Sequence, residues 1–303
     1  LEAKITTLNA FLDLSVCPVS YDAVVFMAKA KMAQRRINAS RMHVSIVGEP
    51  RKKPQYDEHE ARWRLHNIVL PAAHLFDATV SLLPDMLYAE RLASEKSWKN
   101  WPEDWKSQSL GNRQHLIGGV ISASKAGEQV PHVHASFHAR RSVQEWFNSQ
   151  MAGLPVVTMT HRRTYLPERN SDPKAWGAAR QHIVSKGYAV VQLEDTLTAL
   201  RNGRGYGELN LDLRCATYQE AVLNIQSNNG AASLCWFSSR AYRMFGAGVP
   251  AEEWDGLFVK QGLKLGDTWP WARPDQKIVY GETTAEQIIN EFEEWRASAG
   301  AMN

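Results

Sequence analysis

The sequence predicts an α/β fold with mainly parallel sheets in each of two halves. Three observations carry this. Strand-like apolar runs alternate with helix-like segments along most of the chain, the pattern of βαβ units. The 303 residues suffice for two ordinary domains. Residues 154–195 read as one complete strand, helix and strand.

Taken in order, Ala10–Val16 is a first strand, and Cys17-Pro18-Val19-Ser20 is the loop after it. A helix follows from Tyr21 to about Arg36, with Val24, Val25, Ala28, Met32 and Ala33 on one face. His43–Val47 is a second strand, closed by Gly48. Arg62–Leu70 reads as a helix running into a strand, and Thr79–Leu83 as a short strand before Pro84. Residues 95–114 show no clean period and read as an irregular excursion. His115–Ser122 reads as a strand interrupted by Gly118-Gly119. Ser142-Val143-Gln144-Glu145 has the form of a capping box opening a helix to Met151. Gly153 ends that helix, which places a domain boundary there, with domains at 1–153 and 154–303.

The second half opens with the strand Leu154–Thr160, a polar loop from His161 to Asp172, a helix to Lys186 and the strand Tyr188–Leu193. Thr196–Leu209 contains three glycines in a 14-residue stretch and reads as a loop. Asp212–Ile225 is predicted as a helix with Leu213, Ala216, Ala221, Val222 and Ile225 inward. Asn228-Asn229-Gly230 is a turn, and Ala231–Phe237 is a short buried element. Pro250 opens a helix to about Lys260. Trp269-Pro270-Trp271 is an aromatic loop before the strand Lys277–Tyr280. The last helix runs from Thr284 to about Ala297, with Ile288, Ile289, Phe292 and Trp295 on its apolar face.

Composition narrows the class. Hydrophobic residues at 44% and charged residues at 22% describe a globular chain rather than a disordered one. A net charge of +3, with bases dispersed among acids, gives no case for nucleic acid as a partner. Cys17, Cys215 and Cys235 are far apart and form no CxxC, so reduced, buried thiols are expected rather than a zinc site. No apolar run reaches transmembrane length, and Leu1-Glu2-Ala3-Lys4 has no signal-peptide pattern, so the expected compartment is the cytoplasm. His132-x-His134-x3-His138 has metal-like spacing, but no carboxylate or cysteine lies close enough in sequence to complete a site, and no metal is expected.

Arg162 and Arg163 stand just beyond the predicted strand at Leu154–Thr160. Open α/β sheets bind ligands at that edge, and a planar guanidinium matches a diphosphate where lysine does not. Thr164, Arg169, Asn170 and Ser171 add polar groups. A surface pair bridging to Glu168 or Asp172 is the plain alternative. Glu194 and Asp195, at the end of the next strand, suit two ribose hydroxyls or, equally, a helix cap. Asn228-Asn229-Gly230 and Ser233 offer backbone N–H groups to a phosphate, or form an ordinary turn. Asp22 is placed to act as a general base, and also suits a helix start by its charge.

Thr160-His161-Arg162-Arg163-Thr164, with Glu194-Asp195-Thr196 and Asn228-Asn229-Gly230 downstream, resembles the donor half of GT-B glycosyltransferases. The likeness spans about residues 154–240 and is nearest to the fucosyltransferase-like branch, with its His-x-Arg-Arg-x-Asp motif. Thr160 stands in place of that motif's His, and Tyr165 in place of its Asp. The resemblance implies two Rossmann-like domains facing a cleft and metal-independent sugar transfer from a nucleotide-diphosphate sugar. The donor is then a co-substrate, and no other cofactor is implied. Arg162 would contact the diphosphate, and Asn228, Asn229, Gly230 and Ser233 would lie near the nucleotide. The acceptor, a glycan, lipid or protein, is not encoded legibly. A nucleotide-sugar epimerase of the same fold and a non-catalytic phosphate-binding module are the alternatives.

Overall fold

The computed structural model describes residues 7–14, 17, 19–47, 58–76, 81–82, 109–110, 117–163, 167–194, 210–246 and 250–301. The chain divides into two compact units, Leu1–Val133 and His134–Asn303.

In the first unit, β1 (Thr7–Asp13) pairs in parallel with β2 (Arg41–Val47) on one side and with β4 (Ser109–Leu110) on the other. β3 (Ser81–Leu82) extends the sheet beyond β2, giving the order β3-β2-β1-β4. Helix α1 (Asp22–Arg36) is buried along most of its length. The segment expected to turn from helix into strand is helical throughout: α2 (Glu58–Arg64), a π-helical turn at Leu65–Val69 and α3 (Leu70–Phe76). The expected strand at His115–Ser122 is corrected to a helix, α4 (Gly118–Lys125), preceded by Ile117. Its consecutive buried pair, Val120 and Ile121, packs toward α1, so tertiary burial overrides β-propensity. A Cβ at Gly119 would stand 2.4 Å from Nζ of Lys29, the far end of a flexible side chain that would have to move aside. Burial there pushes the Lys29 amine below its ordinary value.

The second unit begins earlier than the sequence suggests, because residues 134–153 pack onto it. Helix α5 (Phe137–Gln150) starts at the N-cap Ser136, whose Oγ accepts from Ala139 N at 3.1 Å. The supposed capping box at Ser142–Glu145 therefore lies inside a helix. Ser136 in turn donates to Asp212 at 2.6 Å, and Arg140 pairs with Glu220 at 2.6 Å, fastening α5 to α7 (Leu211–Glu220).

The second sheet is wholly parallel in the order β6-β5-β7-β8-β9. Its strands are β5 (Val156–Thr160), β6 (Ala189–Leu193), β7 (Leu223–Ser227), β8 (Tyr242–Phe245) and β9 (Gln276–Val279). One face carries Val157, Met159, Leu223 and Ile225 against α6 (Pro173–Ser185) and α10 (Ala285–Ala301), an apolar core. The predicted helix at Asp212–Ile225 ends at Glu220, and Leu223–Ile225 belong to β7 instead. Arg214, Cys215 and Tyr218 are buried on α7 while Leu213 is only half-buried, since α7 lies between the sheet and α5 and is covered on two sides. The short α8 (Ala232–Trp236) and the helix α9 (Ala251–Val259) fill the remaining crossovers. All three cysteines are buried and unbridged. Among the described residues no helix is long and apolar enough to cross a membrane.

Candidate active site

The chain leaves β5 for β6 on one side and returns to β7 on the other, so the strand order reverses between β5 and β7. Ligands of open α/β sheets bind outside the carboxyl ends at such a reversal. Here those ends are Thr160 and Ser227, joined by a Ser227 Oγ bond to the Thr160 carbonyl at 3.0 Å. Two residues on, the Arg162 guanidinium donates from Nη1 to the Asn228 carbonyl at 2.7 Å. The Arg162 backbone is held at both its polar groups: its N–H donates to Ser171 Oγ at 2.8 Å, and its carbonyl accepts from Ser171 N at 3.0 Å. Ser171 is buried, and the next residue, Asp172, caps α6 by accepting from Lys174 N at 2.9 Å. The arginine is thereby fixed to the start of α6 and to the end of β7 together.

Several of the other predicted residues lie in the loops that follow β5 and β7. Asn228, Asn229 and Gly230 form the turn after β7, where the buried Asn229 accepts from Ala232 N at 3.1 Å and Ser233 Oγ donates to the Gly230 carbonyl at 2.8 Å. The Asn229 side-chain N–H group is buried without a hydrogen-bond partner. Helix α8 has five residues, too few for its amino end to act as an anion site by itself. Arg163 is exposed in the loop after β5, Arg169 is exposed at the end of a 3-10 turn, and Asn170 is half-buried beside it. Glu194 is half-buried at the end of β6. Thr164 and Asp195 lie outside the described residues. In the first unit Asp22 is the first residue of α1 and accepts from Ser20 Oγ at 2.6 Å. His132 and His134 lie in a segment without regular secondary structure and His138 on α5; among the described residues no group of three His, Cys, Asp or Glu is placed to hold a metal ion.

Beneath the edge lies a polar layer that sequence reasoning missed. On the α7 face of the sheet, Thr158 donates to Asn224 Oδ1 at 2.7 Å, and Asn224 Nδ2 donates to the Tyr218 and Ala241 carbonyls at 3.0 and 3.1 Å. Thr160 Oγ1 and Tyr218 OH are 3.0 Å apart, and burial pushes the Tyr218 phenol above its ordinary value. Arg214 is completely buried; its Nε donates to Tyr218 OH at 3.0 Å and its Nη2 to the Glu194 carbonyl at 2.7 Å. A cation is thus also built in beneath the carboxyl end of β6. Gln226 is fully buried on the same face with neither amide atom hydrogen-bonded. The available sequence signal was Arg214 and Tyr218 at i and i+4, one face of a helix.

No protein-family model matches the chain, and no curated protein does. Solved structures do. A glycosyl transferase of family 9 from Veillonella parvula aligns over 98% of this chain and 99% of its own, at a TM-score of 0.52 and 11% identity. The chain has the GT-B fold. E. coli ADP-heptose LPS heptosyltransferase II aligns over 98% of this chain and 100% of its own at 10% identity and a TM-score of 0.47. The dodecameric iron-containing heptosyltransferase TibC, in complex with ADP-D-β-D-heptose, aligns over 98% and 78% at 11% identity and a TM-score of 0.49. At these identities the likeness concerns the GT-B fold and not the residues of a site. The fucosyltransferase-like branch suggested by the arginine pair is not represented among these three.

Proposed function

We propose that the protein is a glycosyltransferase that moves a sugar from a nucleotide-diphosphate donor to an acceptor hydroxyl. The observation that carries this reading is the anchoring of Arg162 at the strand-order reversal of a parallel sheet. A guanidinium already fixed at its backbone and at Nη1 has less side-chain freedom left to lose when a diphosphate arrives. As the sugar–phosphate bond breaks, negative charge grows on the departing nucleoside diphosphate, and Arg162 neutralises it there. Arg163, Thr164, Arg169 and Asn170 supply further polar contacts to the donor. Glu194 and Asp195 hold ribose hydroxyls, and the turn of Asn228, Asn229, Gly230 and Ser233 lies against the nucleotide. Asp22 takes the proton of the acceptor hydroxyl as general base. The donor is a co-substrate, and the positive charge at the leaving group comes from side chains.

The test is a panel of nucleotide-diphosphate sugars, read by thermal shift and by release of nucleoside diphosphate, on the wild type and Arg162→Ala. Stabilisation by one donor, with its diphosphate released and both lost in the variant, is the expected result. A ligand at about 100 times its Kd adds roughly 2.7 kcal/mol, a readable shift. A correctly folded wild type that responds to no donor overturns the reading.

A further inference from the structure

A concave site lies in the same unit at the edge of the sheet opposite Arg162. It is a groove of about 460 Å³ at the amino ends of β7, β8 and β9, between α5 and the end of α10. Arg140, Arg240 and Arg273 all line it, with Asp275, Val222 and Trp295. That volume falls within the range of small-molecule sites. We propose that this groove is an anion site for a phosphate monoester, separate from the donor site at Arg162.

The charges favour an anion. Arg140 is paired with Glu220 at 2.6 Å through Nε, and Arg273 holds Asp275 through Nε and Nη2 at 3.1 and 3.2 Å, while Arg240 forms no ion pair among the described residues. Three guanidinium groups against two carboxylates leave an excess cation facing the groove. The paired arginines still leave 46% and 54% of their side chains exposed, and their remaining N–H groups are not all taken up by the paired carboxylates. A tetrahedral phosphate takes hydrogen bonds from donors arriving in three directions, which suits a groove lined by three arginines better than a planar carboxylate does. Val222 and the rim of the largely buried Trp295 provide an apolar strip for the organic part of an ester.

Arg240 is the residue to change. Its backbone N–H bonds to Ser238 Oγ and its carbonyl accepts from Gln276 Nε2, and neither bond involves the guanidinium, so Arg240→Ala keeps the fold. The probes are glycerol 3-phosphate in solution and phosphatidylcholine vesicles with and without phosphatidic acid, applied to the full chain. The expected result is saturable, salt-sensitive binding of a probe, weakened by at least about tenfold in Arg240→Ala and changed less than about twofold in Arg162→Ala, which is remote from the groove. Binding of glycerol 3-phosphate identifies a soluble ester as the source. Binding only to phosphatidic acid vesicles, lost in Arg240→Ala, identifies a lipid headgroup. Binding of neither probe by folded wild type overturns the proposal, as does binding that Arg240→Ala retains or that Arg162→Ala abolishes. A failure here leaves the donor reading untouched, since the donor panel reports on Arg162.

Discussion

The Arg162 guanidinium and the Asn228 carbonyl, 66 positions apart in sequence, meet at 2.7 Å where β5 and β7 end side by side. Because β5 and β7 are parallel neighbours in register from Val157↔Leu223 to Thr160↔Gln226, the two loops leave the sheet at the same height. The arginine crosses the strand-order reversal and ties its two banks together.

Arg162→Ala should lower kcat/KM with the preferred sugar nucleotide by about 100-fold or more, the scale on which removing one stabilising donor acts. Arg162→Lys should recover little of it, because an ammonium lacks the planar fork. Steady-state kinetics checks both, with circular dichroism to establish that each variant is folded.

Asn224→Ala should destabilise the second unit by about 2–4 kcal/mol. The change removes a completely buried amide that bonds to Thr158, Tyr218 and Ala241, and leaves their polar groups unpaired. Urea denaturation should show a lower midpoint at an unchanged slope.

Gln226→Met should raise stability by about 1 kcal/mol, since it replaces a fully buried amide with no hydrogen-bond partner among the described residues by an apolar side chain of similar length. A comparable loss instead would mean that a buried water or bound ligand satisfies the amide. The two outcomes differ in sign in the same denaturation experiment.

Arg243 and Glu291 form an ion pair at 3.0 Å with side chains only 4% and 11% exposed, joining β8 to α10. Glu291→Ala should cost about 3 kcal/mol by stranding the guanidinium, while a double replacement with Met at 243 and Leu at 291 should lie closer to wild type. A double-mutant cycle on unfolding free energies measures the coupling.

Glu293 gives the acid limb a specific cause. Its carboxyl is held below the ordinary value of 4.5, chiefly by the hydrogen bond with His182 at 2.7 Å and further by Arg296. With the folded pKa depressed, this contribution is complete above the unfolded pKa and is lost as pH falls through the lower folded one. Glu293→Gln should therefore flatten stability against pH below about 4.5 without altering the slope near neutrality. Thermal melts from pH 3 to 7 provide the comparison.

The sequence by itself determined the alternation of elements, the β5–α6–β6 unit and the position of Arg162 just past a strand. It also determined the apolar stripe of Ile288, Phe292 and Trp295 on α10. These are short-range properties: side-chain period, caps and turn residues act within a few positions of one another. Tertiary structure alone decided that β7 lies beside β5, which brings Asn228 to Arg162. It also decided that α5 belongs with the second unit, and that Gly118–Lys125 is a helix despite its β-branched pair. Strand order and two-sided burial depend on partners dozens of residues away. For the same reason Arg214, Asn224 and Tyr218, which are not among the residues the sequence marks as inward, form a buried polar layer in the fold.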